Sequence, residues 1–148
     1  MEELSDVRTA RWRYSKIGFV LQESALINAM TLGENIRLSL VYAARSDKEV
    51  GVRFQSIVER LGIEVLLKRK PLECSGGERA RAAFARAVLM KPQLILADEP
   101  TASLDAESRE RLTDLLFELS AESGSTIVAA THDMELARRC DSIITIER

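Results

Sequence analysis

Two adjacent carboxylates, Asp98 and Glu99, end a run of four apolar residues, Leu94 to Ala97, and Pro100 follows them. A short apolar run bounded by Pro92 and Pro100 suits a fully buried strand of a parallel sheet. Ligands of open α/β sheets gather beyond the carboxyl ends of such strands, which is where this acid pair falls. Asp98 has the chemistry to support Mg²⁺, an ion that takes one or two carboxylates alongside phosphate oxygens and water. Glu99 has the chemistry to orient or deprotonate a water that attacks a phosphoryl group. Taken alone, the pair is a strand end with two solvated acids. Its neighbours in sequence argue otherwise.

His132 is the chain's single histidine. It ends the apolar run Thr126 to Ala130, the next expected buried strand after the one bearing Glu99. A γ-phosphate would be sensed at such a position. A neutral imidazole offers one donor and one acceptor, enough to bridge a phosphate oxygen and an attacking water. Ser75-Gly76-Gly77-Glu78 reads in two ways. It is a capping box, with Ser75 as N-cap and Glu78 reaching back. It is also a helix N-terminus whose two glycines leave backbone N–H groups open to an anion such as phosphate. A helix needs no glycine pair to start, and glycine costs conformational entropy there. The pair therefore points toward an anion contact.

The elements that must hold these residues follow from periodicity and punctuation. Residues 5–14 are polar and basic, a short helix or an arm. Ile17 to Leu21 is a buried strand with Gln22 at its carboxyl end, and residues 23–30 form a loop. Thr31-Leu32-Gly33-Glu34 has the form of a capping box and opens a helix to about Ala44. Ser46-Asp47-Lys48 breaks it. The next helix carries Phe54, Ile57, Val58 and Leu61 on one face and ends near Gly62. A short turn over residues 64–67 leads to the basic run Lys68-Arg69-Lys70. The helix opened by Ser75 runs to about Met90 and buries Ala80, Phe84, Ala87 and Val88. Asp105 caps a helix with a Leu112, Leu115, Leu116 and Leu119 stripe, ending near Gly124. Met134 to Arg139 is a short helix and Ser142 to Ile146 a last strand. Strands alternating with helices indicate an α/β fold with a parallel sheet. Residues 24–90, almost all helical, form an inserted lobe; residues 1–23 and 91–148 form the core.

Composition bounds the alternatives. The 148 residues are 46% hydrophobic, enough for a core, and 30% charged. A net charge of -2 gives no case for a nucleic-acid partner. No apolar run approaches the roughly 20 residues of a membrane span. Met1-Glu2-Glu3-Leu4 is acidic and has no signal-peptide core. Cys74 and Cys140 are too few for a disulfide framework and lack metal-site spacing. A reducing, cytoplasmic setting is expected.

Together the motifs resemble the nucleotide-binding domain of ABC-transporter ATPases. Gln22 after Ile17 to Leu21 resembles the Q-loop, and Cys74 to Glu78 the signature motif. Leu94 to Glu99 resembles Walker B with its glutamate, Ala102-Ser103-Leu104-Asp105 the D-loop, and Thr131-His132-Asp133 the H-loop. Five motifs fall in order across residues 22–133. The wording around Gln22 and Glu99 is most similar to the lipoprotein-release and macrolide-export group. The resemblance implies a P-loop NTPase-like core with an inserted α-helical lobe, and ATP and Mg²⁺ as ligands. It implies that Gln22 touches Mg²⁺ and the attacking water, that Asp98 supports Mg²⁺, and that Glu99 is base or water orienter. His132 would hold the γ-phosphate. Ser75, Gly76 and Gly77, with Glu78 in place of the usual glutamine, would grip ATP held by the opposite subunit of a head-to-tail dimer. Asp105 would couple the two sites. Residues 23–35 would receive a coupling helix of a transmembrane permease, placing the protein on the cytoplasmic face of a membrane.

Two departures stand out. Cys74 takes the place of the leucine that usually begins the signature, and is read as a buried thiol without chemistry. The larger departure is the P-loop. None of the seven glycines is followed by lysine, so no G-x-x-x-x-G-K-[ST] occurs. In the family that loop lies upstream of the Q-loop, and only 21 residues precede Gln22 here. A truncated domain, its carboxyl-terminal two-thirds, is therefore expected. Trp12 and Tyr14 lie too close to the Q-loop strand to stack on adenine and are read as packing residues. Two functions stand side by side: an ATP-hydrolysing transporter subunit, and a non-catalytic piece that offers only its signature and Q-loop faces. A free-standing nucleic-acid or scaffold ATPase is disfavoured by the lack of a basic stripe. The strands at Ile17–Leu21 and Leu94–Ala97 are expected to show bare apolar faces, leaving the isolated chain self-associating or marginally stable.

Overall fold

A computed structural model describes residues 6–22, 24–43 and 48–146. Three parallel strands lie side by side in the order β1 (Ile17–Val20), β2 (Leu94–Asp98) and β3 (Thr126–Ala130). Gly18 is opposite Ile95 and Ile95 opposite Ile127; two residues on, Val20, Ala97 and Ala129 form the next row. Side chains alternate across a sheet, so these rows share the packed face. The other face carries Phe19, Leu96 and Val128 in one row, with Phe19 44% and Val128 54% exposed. The expectation of fully buried strands is corrected here: burial is one-sided, because helices among the described residues cover only one face. The bare apolar face itself matches expectation.

The helices follow their start and stop signals. α1 (Asp6–Lys16) leads straight into β1. α2 (Leu32–Ala43) begins at the Thr31/Glu34 capping box, in which the Thr31 amide donates to Glu34 Oε2 at 2.7 Å and the Glu34 amide to Thr31 Oγ1 at 3.2 Å. α3 (Lys48–Leu61) buries Phe54, Ile57, Val58 and Leu61, the predicted stripe, and Val50 besides. The break placed at residues 46–48 lies largely outside the described residues; Lys48 itself opens α3. Two 3₁₀ turns, Glu64–Leu66 and Pro71–Glu73, lead to α4 (Gly76–Val88). α5 (Ala106–Ser123) runs from its Asp105 N-cap to Gly124, whose φ of 64° is the left-handed cap that glycine adopts without a Cβ penalty. α6 (Met134–Arg138) follows β3.

α4 is the hub. It packs on α2 and α3 and on β1, where the Gly18 backbone comes so near that a Cβ would sit 2.4 Å from the Ala87 carbonyl oxygen. The Arg53 guanidinium ties three helices, donating to the Val88 and Leu89 carbonyls at 3.1 Å and to Ser123 Oγ at 3.2 Å. One hydrophobic cluster runs from α2 and α3 through α4 to β2 and α5.

Two further expectations are corrected. Residues 142–146 form no strand, and Ile143, Ile144 and Ile146 are exposed. A strand needs a ladder partner, and β3 pairs only with β2 among the described residues. Trp12 and Tyr14 do not pack inside: they are 55% and 44% exposed, as a helix as polar as α1 at the sheet's edge permits.

Candidate functional site

β2 ends where Asp98 turns outward, and Glu99 follows with φ 44°, an uncommon left-handed conformation for a non-glycine residue. Its amide donates to the Ala130 carbonyl at 2.8 Å, extending the ladder to β3 by one residue. That bend brings the Glu99 carboxylate onto the Thr131–Asp133 segment. The His132 amide donates to Glu99 Oε1 at 3.0 Å, His132 Nδ1 lies 2.7 Å from the same oxygen, and Thr131 Oγ1 donates to Oε2 at 3.2 Å. The structure thus joins the two residues predicted to be catalytic. With Nδ1–H committed to Glu99, the neutral ring presents Nε2 as an acceptor; only the imidazolium meets a phosphate oxygen as donor. The His132 side chain is 82% exposed, so that nitrogen faces solvent.

Behind this pair runs a polar network that the sequence did not disclose. Buried Thr101 donates from Oγ1 to Asp133 Oδ2 at 3.1 Å, and Asp133 caps α6 through the Glu135 and Leu136 amides. Arg109 pairs with Asp133 at 3.8 Å and donates to the Leu104 carbonyl at 3.4 Å, linking D-loop to H-loop. Burial alone would raise the Asp133 pKa. The Glu135 and Leu136 amides, the Thr101 hydroxyl and Arg109 outweigh it and hold the group below its usual value. Glu99, Thr101, Ala102, Arg109, His132, Asp133 and Met134 enclose a cleft of about 230 Å³.

Gln22 and Asp98 both line another cleft, of about 550 Å³, together with Ser24, Asn28 and Arg79. A carboxylate and an amide oxygen are hard-cation donors. Among the described residues no group of three or more His, Cys, Asp or Glu side chains gathers to hold a metal. The pair fits an ion that keeps its waters and phosphate ligands, as Mg²⁺ does. It does not resemble an all-protein cage. The loop after Gln22 is shaped by buried Asn35, whose Oδ1 accepts from the Ile27 amide at 2.7 Å and whose Nδ2 donates to the carbonyls of Ile27, Met30 and Thr31. Asn35 carried no signal beyond its place on a helical face.

The signature residues stand apart from both clefts. Ser75 caps α4: its Oγ accepts from the Glu78 amide at 3.2 Å and its amide donates to Glu78 Oε2 at 2.7 Å. The Ser75 amide is the main cause that holds Glu78 below the usual carboxylate range. The capping-box reading is therefore realised. The Gly76 and Gly77 amides, in the first turn, have no intrahelical acceptor by position. A Cβ on Gly77 would meet Leu104 Cδ2 at 3.3 Å, and one on Gly76 would meet Ser103 at 3.8 Å, so signature and D-loop touch within one chain. Asp105 is exposed, accepts from the Ser108 amide at 2.9 Å and is held low by that bond. Cys74 is buried, and burial raises its thiol pKa. Cys140 is likewise free.

Comparison with known proteins bears on family and fold. The family model described as ABC transporter matches residues 1–102. The chain is 38% identical over 136 residues to the lipoprotein-releasing system ATP-binding protein LolD of Idiomarina loihiensis, covering 92% of this chain and 60% of that protein. It is 38% identical over 146 residues to the macrolide export ATP-binding/permease protein MacB of Mannheimia succiniciproducens, covering 99% of this chain and 22% of that one. The ATP-binding cassette MJ0796, solved as a dimer in a post-hydrolysis state bound to ADP and Pi, superposes with a TM-score of 0.80 at 38% identity, covering 92% of this chain and 60% of that one. The chain thus spans less than two thirds of each of these proteins. By sequence and by fold, it belongs to the ABC transporter family.

Proposed function

We propose that the chain supplies the Q-loop-to-H-loop portion of an ATP-hydrolysing transporter subunit that drives a substrate through a partner permease. The observation that carries this reading is the pairing of Glu99 with His132 at the carboxyl ends of adjacent parallel strands, with Asp98 exposed one residue away. Three donors fix the Glu99 carboxylate, two on Oε1 and one on Oε2, and the lone pair left on Oε2 is available to orient a water for in-line attack on a γ-phosphoryl group. The exposed face of His132 meets a phosphate oxygen when the ring is protonated. Gln22 and Asp98 would hold Mg²⁺. When bound, that ion neutralises charge on the phosphate oxygens. Ser75, Gly76, Gly77 and Glu78 line neither cleft, in keeping with a signature face that serves the nucleotide of a second subunit, coupled through Asp105. In this reading residues 24–90 are the signature-bearing subdomain, set in a core of residues 1–23 and 91–148. Their loop side receives the permease at the cytoplasmic face; among the described residues no helix is long and apolar enough to cross a membrane.

No G-x-x-x-x-G-K-[ST] run occurs in the 148 residues, so the phosphate cradle is assigned to polypeptide outside them. That fact also favours the second reading, a non-catalytic piece that presents only its signature and Q-loop faces. Calorimetric titration of Mg-ATP into the chain, with ADP as comparison, separates the two. Saturable binding weakened by Ser75→Ala or Gly77→Ala supports a nucleotide-holding signature face. No detectable heat supports the non-catalytic reading. In an active ATPase assembled with this chain, Glu99→Gln is expected to keep ATP bound and stop turnover. Unchanged turnover would remove Glu99 from its role.

A further inference from the structure

Immediately after Gln22 the backbone does something expensive. Ser24 and Ala25 both take positive φ, 60° and 40°, in succession and without glycine. Each such residue costs on the order of 1–3 kcal/mol and persists only where its surroundings over-determine it. The Ser24 amide donates back to the Leu21 carbonyl at 2.9 Å, closing the turn around Gln22. The left-handed pair leaves the Ser24 and Ala25 carbonyls converging on one side chain. Arg86, on α4, donates from Nη1 to the Ala25 carbonyl at 2.8 Å and from Nη2 to the Ser24 carbonyl at 3.1 Å. The fixed fork of a planar guanidinium suits two neighbouring carbonyls better than an ammonium does. Burial pushes the Arg86 pKa down.

α4 runs unbroken from Gly76 to Val88. Arg86 therefore sits ten and nine residues, or about 15 and 14 Å along the axis, from Gly76 and Gly77 of the signature. We propose that Arg86 is a positioning residue: its guanidinium clamps the turn of Ser24 and Ala25 so that Gln22 faces Asp98, making the signature helix and the Gln22 turn one mechanical unit. The turn is the two-state element, left-handed when clamped and relaxed when released. The meaning of the clamp rests on the reading of Gln22 given above; its existence does not.

The test is amide hydrogen exchange and ¹⁵N NMR on the 148-residue chain with Arg86→Ala and Arg86→Lys. In Arg86→Ala the Ser24 amide is expected to exchange about tenfold faster or more, the loss of at least one charge-assisted hydrogen bond. The φ-sensitive couplings of Ser24 and Ala25 should leave their left-handed values. The Ile27 amide, held by Asn35, and the Leu89 amide, inside the α4 ladder, should keep their rates. Arg86→Lys should recover only part of the protection, and it serves as the readout if the alanine variant does not fold. Unchanged φ at Ser24 and Ala25, or acceleration spread evenly over α4, would overturn the clamp. The Gln22 reading fails separately: in an active ATPase assembled with this chain, Gln22→Ala that leaves turnover and its Mg²⁺ dependence unchanged removes Gln22 from the ligand set while the clamp stands.

Discussion

Replacing Gly18 by alanine should pry α4 from the sheet. The added Cβ would lie 2.4 Å from the Ala87 carbonyl oxygen, 3.1 Å from its carbon and 3.2 Å from Pro92 Cγ, whereas ordinary contact begins at 3.4 Å. The obstruction at Ala87 is helix backbone, which cannot rotate aside, so the end of α4 must retreat by about 1 Å. A gap of that size forfeits a quarter to a half of the dispersion well along the contact strip. Overpacking costs about 1–3 kcal/mol, and a backbone obstacle puts this case at the upper end. At roughly 2–4 °C per kcal/mol for a chain of this size, a Tm lower by about 6–12 °C follows. Thermal and urea melts by far-ultraviolet circular dichroism would read it, with Gly51→Ala as control. Gly51 has no atom within 4 Å of its built Cβ and lies within α3, so alanine there should stabilise by about 0.5–1 kcal/mol. A Gly18→Ala melt within about 2 °C of wild type would refute the claim that this contact sets the spacing of helix and sheet.

Other outcomes follow from the same geometry. Glu34, Glu78, Asp105 and Asp133 all titrate below their usual values. Their contribution is complete above the ordinary 4.5 of Glu and 3.8 of Asp and is lost as pH falls through the lower folded values. Tm should therefore decline below about pH 4.5, less steeply in Glu78→Gln; a Tm that climbs on acidification contradicts this. Asp133→Ala strips α6 of its cap and leaves the buried Thr101 hydroxyl unpaired, and urea titration should show a loss of about 1–3 kcal/mol. Phe19→Lys, on the bare face of the sheet, should reduce self-association measured by sedimentation velocity; equal association in both proteins would place the contact elsewhere.

Where a signal is local, the sequence displays it. Thr31 with Glu34 and Ser75 with Glu78 mark helix starts because a cap is satisfied within four residues. Gly124 marks an end for the same reason. Asp98, Glu99 and His132 were legible as chemistry because an apolar run that stops abruptly at polar residues is a strand end. What failed depends on remote partners. Residues 142–146 have the composition of a strand, yet no described strand pairs with them. The strands at Ile17, Leu94 and Thr126 have apolar residues on both faces, which periodicity reads as two-sided burial even when one face is bare. Thr101, Arg109, Asn35 and Arg86 looked like surface or helix-face residues; their roles lie in partners up to 62 positions away.

The order of the strands also shapes how the molecule assembles. β2 and β3 pair residues 32 apart, Leu94 with Thr126, whereas β1 must reach β2 across the whole helical insertion, Ile17 to Leu94, 77 apart. Closing the longer loop costs about 0.8 kcal/mol more by chain entropy, and β1 repays it with a four-residue ladder on an edge. On sequence separation alone, β1 is expected to dock after β2 and β3 have paired. The segment that ends in Gln22 therefore joins the sheet late, on an edge that α4 secures as well as the ladder does.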